Sequence, residues 1–249
     1  MAKLPTKSVH VADDFRDNLI IDRFDPLFLG MRASKLTHMK SENSEDAITW
    51  NVFRSLRQIT PAAWLPALWG EAHSESAPRY DGLATYVWRS IAPPPSLVIT
   101  GDEGRSEIDV LIETPWWVWV IEAKYTSDIS ERTTSRSDRD QVIRNIDVGS
   151  YFAGTRDFYF SLLVKDEAHS PRGAKAVGKY SDLGGVRAML AGHRPDGLPN
   201  LKSVTLITWA QLGHTLHVAT QKALFAAERG YAERALAWLK AKGLAADAA

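Results

Sequence analysis

The chain has 249 residues, with 30 Lys plus Arg against 30 Asp plus Glu, and no cysteine. That length fits one large domain, or one domain with appended arms. A hydrophobic content of 45% with nine Trp excludes global disorder. The lack of cysteine excludes disulfides and thiolate zinc sites, and zero net charge argues against a tight non-specific nucleic-acid binder.

Met1 to Phe15 carries Lys3 and Lys7 but no apolar h-region, and no apolar run approaches the roughly 20 residues of a membrane span. A cytoplasmic protein with no membrane partner is expected. Residues 1–40 have mixed charge and a short apolar patch, Phe24 to Gly30, and are expected to form an arm packing on the body. Residues 41–249 are expected to form a single domain with C-terminal helices. Ser41 to Thr60 predicts a helix. Ser44 is its candidate N-cap, Glu45 and Asp46 lie in the first turn where the helix dipole favours negative charge, and Pro61 ends it. Trp64 to Arg89 reads as further helical pieces and turns, Pro93 to Pro95 as a stiff connector, and Ser96 to Thr100 as a short strand.

Glu107 to Glu113 is rich in Ile, Val and Leu and predicts a strand, broken by Thr114-Pro115. Trp116 to Tyr125 predicts the next strand. Its almost unbroken apolar run is the pattern of a strand buried on both faces. Ser127 to Arg139 reads as a polar loop, Asp138 to Phe152 as a helix and Asp157 to Val164 as a strand. Lys165 to Asn200 reads as a long irregular excursion with a short helix at Val186 to Leu190. Leu201 to Trp209 predicts a strand, and Gln211 to Arg229 and Tyr231 to Leu244 two closing helices.

Charges on a doubly buried strand are costly unless they are paired or hold a metal, so Glu122 and Lys124 call for a reason. Strand alternation points both the same way. A four-residue loop over Thr114 to Trp117 would set Asp109 opposite Glu122. Two convergent carboxylates suit Mg²⁺, which polarises a phosphoryl oxygen and lowers the pKa of a bound water. Lys124 would orient that water or offset developing charge, and the Ala123 carbonyl would add an oxygen ligand. On a helical wheel Glu45 falls in the middle of the stripe formed by Ile48, Val52 and Leu56, with Asp46 about 100° away and more exposed. Glu45 would then reach the site from the side. Gln141, at the start of the next helix, would orient water or substrate. The plainer alternatives are a buried ion pair for Lys124, a helix-dipole charge for Glu45 and a surface or capping role for Gln141. Arg132, Arg136, Arg139 and Arg144 read either as a solvated face or as a phosphate-contacting rim. Lys165, Arg172, Lys175, Lys179, Arg187 and Arg194 suggest a DNA-facing loop.

Glu45 on a first helix, Ile108-Asp109, Glu122-Ala123-Lys124 and Gln141 on a following helix resemble the PD-(D/E)XK nuclease superfamily across residues 45–165. The resemblance implies an α/β restriction-endonuclease-like core, a central mixed β-sheet flanked by helices. It implies a metal-dependent phosphodiesterase, a Mg²⁺-dependent DNA endonuclease of restriction or repair type, with Mn²⁺ able to substitute. By family role Asp109 and Glu122 bind metal, Lys124 acts on the attacking water, Glu45 supports the metal site and Gln141 matches a helical glutamine of several branches. Ile108 stands where the motif name has Pro, a position that varies. DNA would be the partner, and a homodimer would pair two sites for cutting both strands. The alternative is a catalytically silent nucleic-acid-binding or assembly module of the same fold. An RNA nuclease or a host-defence effector using the same site also stays open.

Overall fold

The computed structural model describes residues 9–99, 104–132 and 139–245. The chain is α/β: a five-stranded mixed sheet lies between two layers of helices. Its strands are β1 (Ala84–Ile91), β2 (Ser106–Glu113), β3 (Trp117–Ala123), β4 (Asp157–Val164) and β5 (Leu201–Thr208), side by side in chain order. β1, β2 and β3 form an antiparallel meander, while β3, β4 and β5 run parallel. The short turn after Glu113 allows antiparallel return, whereas parallel neighbours need crossovers. The crossovers carry α5 (Gln141–Ala153), then α6 (Pro171–Tyr180) and α7 (Leu183–Leu190).

The other helices are α1 (Ala33–Met39), α2 (Glu45–Arg57), α3 (Pro61–His73), α4 (Pro95–Ile99), α8 (Trp209–Lys222) and α9 (Ala226–Ala241). One apolar core lies between the sheet and α2, α3, α8 and α9. It includes Trp50, Trp64, Trp69, Trp119 and Trp209. A second core holds Val118, Val120, Val142, Ile146, Phe158 and Phe160 under α5 to α7. Every residue of β3 is buried, because the strand is central and both faces are covered. From residue 9 onward the first forty residues pack Phe15, Leu19, Ile21, Phe28 and Met39 into the first core. Among the described residues no helix is long and apolar enough to cross a membrane.

Several elements differ from the sequence reading. Ala84–Ile91 is a strand rather than helix and turn, and it forms the sheet edge. Ser96 onward lies in α4, which begins at Pro95, a residue suited to a first helical turn; Thr100 lies outside the described residues. The excursion after Lys165 contains the whole of α6 as well as α7. The first closing helix stops at Lys222 rather than Arg229, and α9 starts at Ala226. Asp138, expected to open the helix that begins at Gln141, lies outside the described residues.

Candidate functional site

The site grows from the C-terminal end of β3. Val110 pairs with Ile121 and Glu113 with Val118. One step further along that register, Asp109 faces Glu122. The Ala123 N–H donates to Asp109 Oδ2 at 2.9 Å, which fixes the carboxylate against the neighbouring strand. Glu122 and Lys124 are only 2% and 6% exposed.

Both carboxylate oxygens of Glu122 are engaged. Oε1 accepts from Lys124 Nζ at 2.8 Å and from Gln141 Nε2, and Oε2 accepts from Asn145 Nδ2 at 2.6 Å. Gln141 and Asn145 are four residues apart on α5 and so share one helix face. α5 starts where it does because Asp140 caps it, its Oδ1 accepting from the Ile143 N–H at 2.9 Å. α2 starts at Glu45 because Ser44 Oγ accepts from the Ala47 N–H at 3.2 Å.

Glu45 reaches the same centre from the opposite layer. Its Oε1 accepts from Lys124 Nζ at 3.1 Å, and its Oε2 accepts from the Tyr125 N–H at 2.9 Å and Ser127 Oγ at 2.8 Å. Lys124 Nζ also donates to the Ala123 carbonyl at 3.0 Å. Three oxygens from Glu45, Glu122 and Ala123 thus already converge on one cation, the ammonium. The structure therefore brings Glu45, Asp109, Glu122, Ala123, Lys124 and Gln141 into one connected network.

The electrostatics follow from that crowding. Burial, the Glu122 carboxylate and the Glu45 carboxylate push Asp109 well above the usual carboxylate range, against the pull of Lys124 and of the Ala123 N–H. Burial opposes the charge on Lys124, but Glu122, Asp109 and Glu45 overcome it and hold the ammonium above its ordinary value. Three carboxylates meet one ammonium, so full ionisation leaves two negative charges unbalanced. A hard divalent cation suits that deficit, and the donor set of two carboxylates and a carbonyl is all oxygen. Among the described residues no three acidic or imidazole side chains are placed to hold a metal ion together; the oxygens that could do so here are those of Asp109 and Glu122 with the Ala123 carbonyl.

Three residues near the site escaped the sequence reading. Asn145 was legible as the residue one turn after Gln141. Lys35 was not. It donates to Glu107, pairs with Asp46 at 3.1 Å and lies 4.1 Å above the Trp88 ring, tying the first forty residues to β2 and α2. Asp46, expected on an exposed face, is half-buried by that contact, and burial raises its carboxyl above the usual range. Trp88 stands opposite Asp109 in the β1–β2 register yet has φ +57° in mid-strand, a left-handed backbone that a bulky residue rarely takes. The strands turn over there. Val110 packs in the first core and Ile108 in the second, although regular alternation would put both on one face.

Two basic residues expected to face outward, Arg139 on a solvated face or phosphate rim and Arg194 on a DNA-facing loop, lie elsewhere. Arg139 and Arg194 are buried around Asp147, at 2.7 and 2.9 Å, where His193 also contacts its Oδ2. They are structural partners of a buried carboxylate, not surface cations; Arg136 lies outside the described residues. No protein-family model, curated protein or solved structure matches this chain.

Proposed function

We propose that the chain is a Mg²⁺-dependent phosphodiesterase acting on DNA, with a restriction-endonuclease-like core and the site of the PD-(D/E)XK nucleases it resembles. The observation that carries this reading is the meeting of Asp109, Glu122 and Lys124 at one end of the central strand, with an excess of negative charge around a single ammonium. Asp109, Glu122 and the Ala123 carbonyl would hold the metal, and Mn²⁺ would substitute. Bound there, the ion supplies Lewis acidity toward a phosphoryl oxygen and lowers the pKa of a bound water.

The chain's own residues do the rest. Gln141 and Asn145 hold Glu122 in one rotamer, and the Ala123 N–H holds Asp109. Glu45 and Glu122 hold Lys124 as a cation. It therefore serves as a donor that orients the attacking water and offsets charge developing on the phosphoryl oxygens, rather than as a base. The burial of Glu122 and Lys124 strengthens each of these interactions.

The test is incubation of the protein and Mg²⁺ with supercoiled, linear and single-stranded DNA, read on a gel. Cleavage is expected, lost in Asp109→Ala and Lys124→Ala while circular dichroism shows the fold retained. Undiminished cleavage by purified Asp109→Ala protein discards the assignment.

A second reading, a catalytically silent nucleic-acid-binding or assembly module, is favoured by one feature: the Lys124 ammonium already bonds two of the oxygens that a metal would use, those of Glu122 and the Ala123 carbonyl. DNA binding that responds to salt but not to Mg²⁺, with no cleavage, supports it.

A further inference from the structure

Helix α6 presents a basic outer face that the site network leaves unused. Gly173, Ala176, Val177 and Tyr180 are its buried side, and Arg172, Lys175 and Lys179 are exposed at helical spacing. The helix contains no acidic residue. Among the described residues no carboxylate pairs with Lys175 or Lys179, and Arg172 is held only at 3.3 Å by Asp128 with half its side chain exposed. A lone solvated face would look the same. What distinguishes this one is where its two ends are tied.

At its start, Asp128 accepts from the Arg172 N–H at 2.9 Å and the Gly173 N–H at 3.0 Å. Asp128 lies on the loop that leaves β3 straight after Lys124, and Ser127 of that loop donates to Glu45. At its end, Tyr180 OH donates to Asp140 Oδ2 at 2.6 Å. Asp140 caps α5 next to Gln141, which donates to Glu122. The helix is therefore strapped at both ends to segments that carry site residues. It sits close on the sheet because Gly173 lacks a side chain: a Cβ there would lie 2.6 Å from Leu162.

We infer that the outer face of α6, Arg172 with Lys175 and Lys179, is the track on which the phosphates of duplex DNA rest beside the scissile bond. This rests on the proposed phosphodiesterase site and assigns the direction in which substrate extends from it. Lysines make point-charge contacts that carry no sequence information, so the track positions DNA without reading it. It also explains how a chain of zero net charge would hold a polyanion. Arg172, Lys175 and Lys179 form a local basic face with no acidic residue on the same helix, apart from the carboxylates at the end of β3.

The test is fluorescence anisotropy of a labelled mixed-sequence duplex with the full chain in EDTA, across a salt series. Cleavage with Mg²⁺ is assayed separately. Each phosphate contact contributes about 0.9 to the slope of log affinity against log salt. The double reversal Lys175→Glu/Lys179→Glu is expected to weaken binding about tenfold or more near 0.1 M salt and to flatten the slope by about 2. Lys222→Glu/Arg229→Glu makes the same change in net charge on exposed residues of α8 and α9, and is expected to leave the slope near that of the wild type. If the wild type cleaves DNA but the α6 reversal binds with unchanged slope, or both pairs weaken binding equally, the α6 track is overturned and the site reading stands. A wild type that neither binds nor cleaves overturns both.

Discussion

Glu122 depends on its neighbours for its place. With Asn145 gone, Oε2 of a buried carboxylate loses the one donor it has among the described residues, and a buried group left unsatisfied costs about 1–3 kcal/mol. Asn145→Ala is therefore expected to lower stability by that amount in urea unfolding. It should also weaken Mn²⁺ binding about 10- to 100-fold, as loss of a partner that orients a ligand typically does. An unchanged affinity would mean Glu122 is held without it. Trp88 gives a sharper test, because two rules conflict there. In a strand, glycine is normally worse than alanine by about 0.5–1 kcal/mol, but a left-handed backbone costs an alanine about 1–2 kcal/mol. Both substitutions lose the ring stacked on Trp50 at 5.1 Å. At φ +57° Trp88→Gly should equal or exceed Trp88→Ala in stability, and the ordinary order would show the kink to be absent. His73 lies among Trp69, Trp119 and Tyr159, and burial lowers it from 6.5 to about 4. The unfolded chain binds the extra proton between those values. The contribution of His73 is thus complete above pH 6.5 and lost as pH falls toward 4, by roughly 3 kcal/mol at most. Urea unfolding at several pH values should show this slope in the wild type and a flatter one in His73→Phe.

At the scale of elements, α5 reaches Glu122 only because it lies close on the sheet. A Cβ on Gly149 would meet the Phe158 ring at 2.6 Å and Val120 at 3.2 Å. Both neighbours are fully buried and have no room to yield. Gly149→Ala is expected to cost about 1–3 kcal/mol by overpacking and to shift Gln141 and Asn145 away from Glu122, so that metal affinity falls with stability. Loss of stability alone would separate packing from the site. The same elements show what was legible beforehand. β2, β3, β4 and β5 could be read because their apolar runs are bounded by turn residues, and the loop length after Glu113 led to the pairing that sets Asp109 opposite Glu122. β1 could not, because the Trp88 kink breaks the period-two alternation by which an edge strand is recognised. α6 looked like loop because its glycines suggest one, yet Gly173 is there to let the helix approach Leu162. Glu45 and Gln141 followed from helix starts and spacing. The Lys35–Glu107 contact joins residues 72 apart in the chain, which no local pattern encodes.

At the scale of the molecule, the chain up to residue 40 supplies core as well as surface. Phe15, Leu19, Phe28 and Met39 are buried, the Asn51 side chain accepts from the Ile20 N–H and donates to the Asn18 carbonyl, both at 3.0 Å, and Trp50 Nε1 donates to the Ile21 carbonyl at 3.0 Å. Deleting residues 1–40 is expected to expose the Trp50 and Trp88 faces and abolish cooperative unfolding; a truncated chain that unfolds as sharply as the whole would show this segment to be a separable appendage. The site itself joins both helical layers. Glu45 comes from one, Gln141 and Asn145 from the other, and the end of β3 lies between them. The central claim is that this junction holds one divalent cation between Asp109 and Glu122. Isothermal titration of Mg²⁺ into the full chain tests it most directly. Saturable binding is expected in the wild type, disappearing in both Asp109→Asn and Glu122→Gln. Binding unchanged in both variants, or no binding by a folded wild type, would contradict it.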